Sequence, residues 1–142
     1  MKENAREELQ KEYVRLSFLR EKLNSLLTQQ RMLEVKIRET ESSIRVLNEL
    51  NSLKKNEEIL SSVGSNVFLL AKIADKNHVL VNVGADTVVK KSVGEAIGYL
   101  EERLKRLRAT FEALRNEVSR LTTLIAASEG KLSQLAKEVR GG

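Results

Sequence analysis

Residues 97–139 read IGYLEERLKRLRATFEALRNEVSRLTTLIAASEGKLSQLAKEV. Their apolar side chains recur at alternating intervals of three and four, and Ser128 is the one polar member of the series. The positions are Ile97, Leu100, Leu104, Leu107, Phe111, Leu114, Val118, Leu121, Ile125, Ser128, Leu132, Leu135 and Val139. A heptad repeat this strict is typical of a coiled-coil seam. The segment therefore predicts one long helix that packs along its length against a second helix.

A matching stripe occupies the N-terminal part of the chain, with Glu12, Gln30 and Thr40 as its polar interruptions. Its apolar members share one heptad register, and they are Ala5, Leu9, Leu16, Leu19, Leu23, Leu26, Leu33, Ile37, Ile44 and Leu47. Two stripes of nearly equal length predict two helices of about 45 to 50 residues, each roughly 70 Å long. We expect these helices to pair as an antiparallel coiled-coil hairpin.

Both chain ends meet at the far end, or tip, of this predicted hairpin. We expect opposite residues to have numbers that sum to about 147, so that Leu16 faces Leu132. The tip is expected to fray because Glu12 and Ser128 occupy seam positions there. It also carries three apolar residues outside the seam, and these are Tyr13, Val14 and Phe18. They either form an interaction surface, broaden the contact between the helices, or are ordinary exposed apolar side chains.

The middle of the chain changes from the helical period to an alternation of two. Valine, glycine and asparagine become frequent there, and strands are predicted at 59–63, 66–74, 78–83 and 87–91. Gly84, Ala85 and Asp86 connect the last two strands as a hairpin. The chain therefore divides into an N-terminal arm at 1–54, a β-hairpin region at 55–92 and a C-terminal arm at 93–142. The fold class is α+β.

The predicted strands carry apolar residues on both faces, which one pair of helices cannot cover. A four-stranded sheet of this size is only marginally stable alone, and its edges offer unpaired N–H and C=O groups. We therefore expect subunits to assemble through this region into a β-barrel. The candidate assembly residues are Phe68, Leu70, Val79, Val81, Val83 and Val88. Ser92 and Glu95 form the capping-box pattern that begins the second helix.

Composition argues against several classes of function. The chain has no cysteine, and its single histidine, His78, has no second histidine to share a metal. No phosphate-binding loop is present. The net charge is +5, but the basic residues are mixed evenly with acidic residues along the chain. Binding to nucleic acid is therefore not indicated. No apolar run reaches the length of a membrane span. We expect a soluble, cytoplasmic protein with no enzymatic activity, no cofactor and no metal.

Residues 58–100 read EILSSVGSNVFLLAKIADKNHVLVNVGADTVVKKSVGEAIGYL. This stretch resembles the alpha class of the archaeal prefoldin family, and the resemblance extends over the whole chain. Its most specific parts are LVNVGA at 80–85, VVKKS at 88–92 and EAI at 95–97. One departure concerns Ser61 and Ser62, which stand where the family commonly has a hydrophobic residue and a proline.

The resemblance implies a heterohexamer of two alpha and four beta subunits, in which the sheets form a double β-barrel and the coiled coils project from it. It also implies an ATP-independent holdase that binds nonnative proteins at its tips and delivers them to a group II chaperonin. The candidate client-binding residues are Leu9, Tyr13, Val14, Phe18, Leu132, Leu135 and Val139. The alternatives are a self-assembling filament subunit, a structural coiled-coil tether and, more distantly, a nucleic-acid binder.

Overall fold

The computed structural model describes residues 2–141. They form two helices and, between these helices in the sequence, four strands. Helix α1 spans Lys2–Leu50 and helix α2 spans Val93–Gly141, each with 49 residues. The strands between them are β1 (Glu58–Gly64), β2 (Val67–Lys72), β3 (His78–Asn82) and β4 (Val88–Ser92). No proline interrupts either helix. The two long helices predicted from the heptad stripes are therefore confirmed.

The chain divides into two compact units. The first, here called the terminal unit, contains the part of α1 up to Val35 and the part of α2 from Arg108 onwards. The second, the hairpin unit, runs from Lys36 to Leu107 and contains the four strands with the adjoining helix ends. All seam positions predicted from the two heptad stripes are buried or half-buried in their own unit.

The terminal unit is held together by an antiparallel pair of helix segments. Leu16 and Leu121 are its most deeply buried side chains, at 2% and 1% exposure. Each fully buried leucine contributes about 1.5 to 3 kcal/mol before the entropy of ordering is subtracted. Within this leucine seam, the Ser128 hydroxyl donates a 2.7 Å hydrogen bond to the Glu12 carboxylate. That bond fixes which residues lie opposite one another.

The predicted register of the helix pair is wrong by one heptad. A sum of 147 would place Leu135 opposite Glu12, whereas the structure places Ser128 there. The same offset brings Leu19 opposite Leu121, and both are buried. A shift of one heptad keeps apolar residues facing apolar residues, so the heptad pattern alone cannot select the register. The predicted register would have buried the Glu12 carboxylate against leucine without a partner, which is costly.

The hairpin unit contains two separate antiparallel hairpins, as the predicted β-hairpin region implies, and they do not join into one four-stranded sheet. β1 pairs with β2, and β3 pairs with β4. Each predicted strand is present, with its ends shifted by a few residues at most. The β3–β4 connection contains Gly84 at φ 112°, followed by Ala85 and Asp86, which also have positive φ. The predicted hairpin and its glycine-containing connector are therefore confirmed.

Polar contacts join the strands to the start of α2. The Ser92 hydroxyl accepts a 3.2 Å hydrogen bond from the backbone N–H of Glu95, as the capping-box pattern predicts. The N–H of Val93 donates to the carbonyl of Asn77 at 3.0 Å, which ties the β2–β3 connector to the helix. The buried apolar residues of this unit are Ile73, Val93, Ala96 and Leu104.

Candidate interaction surfaces

Helix α1 exposes three large apolar side chains within six residues in the terminal unit. Tyr13, Val14 and Phe18, the N-terminal patch, are 63%, 67% and 64% exposed. Val14 and Phe18 are four residues apart and so lie on one face of the helix. The patch therefore lies outside the helix-helix seam, which argues against the reading that these residues merely broaden the contact.

The remaining predicted client residues lie in the seam. Leu9, Leu132 and Val139 are half-buried, and Leu135 is buried at 5% exposure. The structure therefore separates the predicted set into an exposed group of three and a seam group of four. In the closed helix pair, Leu135 offers almost no surface to a partner.

A polar layer interrupts the seam beside the patch. Besides the bond from Ser128, the Glu12 carboxylate receives an ion pair from Lys131, whose Nζ lies 3.6 Å away. The Ser128 hydrogen bond lowers the pKa of Glu12; burial opposes it, and the Lys131 and Arg15 cations add to the lowering. Sequence reasoning missed this pairing, although Glu12 in one stripe and Ser128 in the other were the available signal.

Both hairpins expose apolar residues on both faces. Among the predicted assembly residues, Phe68, Leu70 and Val88 are more than half exposed, and Val83 is 36% exposed. The predicted assembly set left out other exposed apolar members of these strands, which are Ile59, Leu60, Val63, Val67, Leu69, Leu80 and Val89. Each sheet has only two strands, so every strand is an edge with unpaired backbone groups.

Val79 and Val81, the other two predicted assembly residues, are half-buried and line a groove. The groove belongs to the hairpin unit and has a volume of about 480 Å³. Its other walls come from α1 and α2, and they include Val46, Leu47, Tyr99, Leu100 and Arg103. The Lys91 ammonium lies 5.7 Å from the centre of the Tyr99 ring, within cation–π range.

His78 takes part in a turn at the start of β3. Its Nδ1 lies 3.1 Å from the Asp75 carboxylate, and both side chains are more than 40% exposed. A hydrogen bond from the N–H of Asn77 is the main cause of a lowered pKa at Asp75, and the contacts with His78 add to it. Among residues 2–141, no three acidic or histidine side chains come together as a metal site. Nor does any helix in that range have an apolar stretch long enough to cross a membrane.

Comparison with known proteins gives a consistent result. A family model described as a prefoldin subunit matches residues 19–138. Prefoldin subunit alpha of Methanoculleus marisnigri is 35% identical over 99 residues, which cover 68% of this chain and 64% of that protein. Prefoldin subunit alpha of Thermofilum pendens is 29% identical over 128 residues, which cover 90% of this chain and 97% of that protein.

A solved structure has the same fold. A chain of the filamentous PFD from Methanocaldococcus jannaschii superposes with a TM-score of 0.69, covering 79% of this chain and 93% of that chain. The sequence identity is 22%, so this likeness concerns the fold.

Proposed function

The chain belongs to the prefoldin family of chaperone subunits, among its alpha type, and on that premise we propose that it is part of an ATP-independent holdase. The holdase binds nonnative proteins and delivers them to a group II chaperonin. The proposal rests on the N-terminal patch, in which three large apolar side chains are exposed to solvent. Nonnative proteins expose the apolar segments that such a surface would cover.

The patch suits weak and unselective binding. Covering one large apolar side chain contributes about 1.5 to 3 kcal/mol, so a single patch binds a client weakly. Several patches in one assembly would act together, because each later contact forms within the same complex. The assembled state is therefore part of the proposed mechanism.

Assembly is proposed to use both hairpins. Two-stranded sheets are marginally stable in water, and exposed edges readily pair with other strands. Apolar residues such as Phe68, Leu70 and Val88 would be covered when the hairpins join those of neighbouring subunits. We infer that the neighbours are prefoldin beta subunits, in a hexamer of two alpha and four beta chains arranged as a β-barrel platform.

A filament is the second candidate. It is favoured by the likeness to a chain of a filamentous prefoldin and by the open edges of both hairpins. The mass of the purified chain, measured with and without beta subunits, separates the two assemblies. A closed hexamer has one mass, whereas a filament grows with protein concentration.

The client-binding proposal is tested by replacing the patch in the assembled complex. The triple variant Tyr13→Gln, Val14→Gln, Phe18→Gln keeps good helix formers on an exposed face, so assembly is expected to remain. Suppression of aggregation of a denatured test enzyme should fall several-fold. A matched control changes three exposed α2 residues, Ala109→Ser, Ala113→Ser and Ala126→Ser, and should protect as well as the parent. Full protection by an assembled patch variant would overturn the proposal.

A further inference from the structure

The large apolar side chains that are exposed in the described part of the terminal unit all belong to α1. Besides the N-terminal patch, α1 exposes Met32 at 61% and Val35 at 45%. In the described part of α2, every large apolar side chain is buried or half-buried. The two helices share one seam, yet among the described residues of this unit only α1 exposes large apolar side chains outside it. The outer faces of the two helices therefore differ in the large apolar surface that they offer.

The additional residues repeat the positions of the patch. Met32 follows Phe18 by two heptads, and Val35 follows Val14 by three. Residues separated by whole heptads lie on the same face of a coiled-coil helix. Met32 and Val35 are also neighbours one turn apart. At 1.5 Å of rise per residue, Phe18 and Met32 are about 21 Å apart along the helix. We call Met32 and Val35 the second patch.

A polypeptide that lies over the surface between the two patches removes few charged groups from water. Its heptad-equivalent positions hold Glu21, Ser25 and Thr28, only one of which is charged. The Thr28 hydroxyl donates to the carbonyl of Asn24 at 3.1 Å, and the Gln29 amide donates to the Ser25 hydroxyl at 3.4 Å. Because the Ser25 and Thr28 hydroxyls already have partners within α1, a chain lying over them leaves few of their hydrogen bonds unmade.

We propose that the second patch is a further client contact, and that α1 preferentially binds extended nonnative segments whose apolar residues are spaced to reach both patches. The inference rests on the proposed holdase function and adds a substrate preference to it. An extended chain advances about 3.3 Å per residue, so apolar residues about six positions apart would span the 21 Å. A segment that reaches both patches gains avidity over one that reaches a single patch.

The size of the surface favours a nonnative segment over a second copy of the chain. Val14, Phe18, Met32 and Val35 together offer on the order of 400 Å², whereas a stable interface buries about 800 Å² on each partner. A contact of this size is weak and transient, as holding and release require. The flexible, polarisable side chain of Met32 adapts to different apolar partners, which suits unselective binding.

The test uses the complex assembled with beta subunits and two labelled peptides of equal composition. One peptide separates two Leu-Phe pairs by about six Gly-Ser spacer residues, and the other by about two, with its remaining Gly-Ser residues placed at its ends. Fluorescence anisotropy should show the long-spaced peptide binding about tenfold more tightly. The variant Met32→Gln, Val35→Gln should remove that preference while the short-spaced peptide binds as before. The control variant Ala109→Ser, Ala113→Ser should keep the preference.

Each other outcome has a defined meaning. Equal binding of the two peptides to the parent complex, or a spacing preference that survives the Met32→Gln, Val35→Gln change, overturns the second patch. If the parent still suppresses aggregation in either case, the holdase proposal stands. Absence of both peptide binding and protection overturns the holdase function itself. A change in the mass of the complex caused by the variant would identify the face as a contact between copies and also overturn the inference.

Discussion

At the scale of single residues, the polar layer in the terminal unit determines the register of the helix pair. Glu12 is buried among leucines and receives both a hydrogen bond from Ser128 and an ion pair from Lys131. Only one alignment of the two stripes satisfies the buried carboxylate. Such a layer selects one alignment among several apolar ones.

Removing one side of this layer should destabilise the unit. Ser128→Leu leaves the Glu12 carboxylate facing an apolar side chain, so we expect the free energy of unfolding to fall by about 1–3 kcal/mol. Urea unfolding of the assembled complex, followed by far-UV circular dichroism, measures the change. The double variant Glu12→Leu, Ser128→Leu should recover or exceed the parent stability. A Ser128→Leu variant as stable as the parent would show that the layer does not constrain the pair.

The same layer should respond to acid. The folded-state pKa of Glu12 is lowered from its ordinary value of 4.5, so its stabilising effect is complete above that pH. The effect is lost as the pH falls through the lowered folded-state pKa. The difference in unfolding free energy between parent and Glu12→Gln should therefore shrink on acidification. Taking the difference cancels the titration of other carboxylates, such as Glu117. A difference that stays constant from neutral pH into strong acid would contradict this role.

At the scale of elements, the sequence specified the strands better than their pairing. Alternating residues marked each strand, and Ser61 and Ser62, despite departing from the family pattern, lie inside β1 opposite Leu69 and Phe68. The alternation of apolar and polar residues does not show whether β2 pairs with β3. In the structure these two strands do not pair. Strands with apolar residues on both faces need partners outside the chain, and a single sequence does not contain those partners.

The β1–β2 hairpin should be required for assembly. Phe68→Ser, Leu70→Ser removes two of its exposed apolar side chains without touching the helix seam. We expect most molecules of this variant to fail to join beta subunits. Light scattering after co-expression measures the mass and yield of the complex. Lys90→Ser on exposed β4 is a suitable control, since it removes no apolar surface. A complex of unchanged mass and yield with the double variant would contradict the assigned role.

At the scale of the whole molecule, the heptad pattern predicted which residues face the seam. It did not predict how much of each candidate client residue is exposed to solvent. Tyr13, Val14 and Phe18 are exposed as an interaction surface requires, whereas Leu135 is buried in the seam. Both groups are apolar residues near the chain ends, so composition cannot separate them. The heptad pattern placed the first group outside the seam and Leu135 within it, and the exposures in the structure agree.

Assembly and client binding should be separable by truncation, because they are assigned to different units. Removing residues 1–18 and 131–142 deletes the N-terminal patch and leaves every strand of the hairpin unit intact. We expect the shortened chain to join beta subunits in a complex of correspondingly lower mass. Its suppression of aggregation should be largely lost, because only the second patch remains on this chain. A truncated complex that protects clients as well as the parent would place client binding elsewhere in the assembly.

The most direct measurement is photo-cross-linking of a denatured client to the assembled complex from single positions. A photoreactive amino acid replaces Phe18 on α1 in one complex and Ala113 on the exposed face of α2 in another. We expect strong cross-links to the client from position 18 and few from position 113. Equal cross-linking from both positions, or cross-linking from position 113 alone, would contradict the claim that the exposed face of α1 holds nonnative proteins.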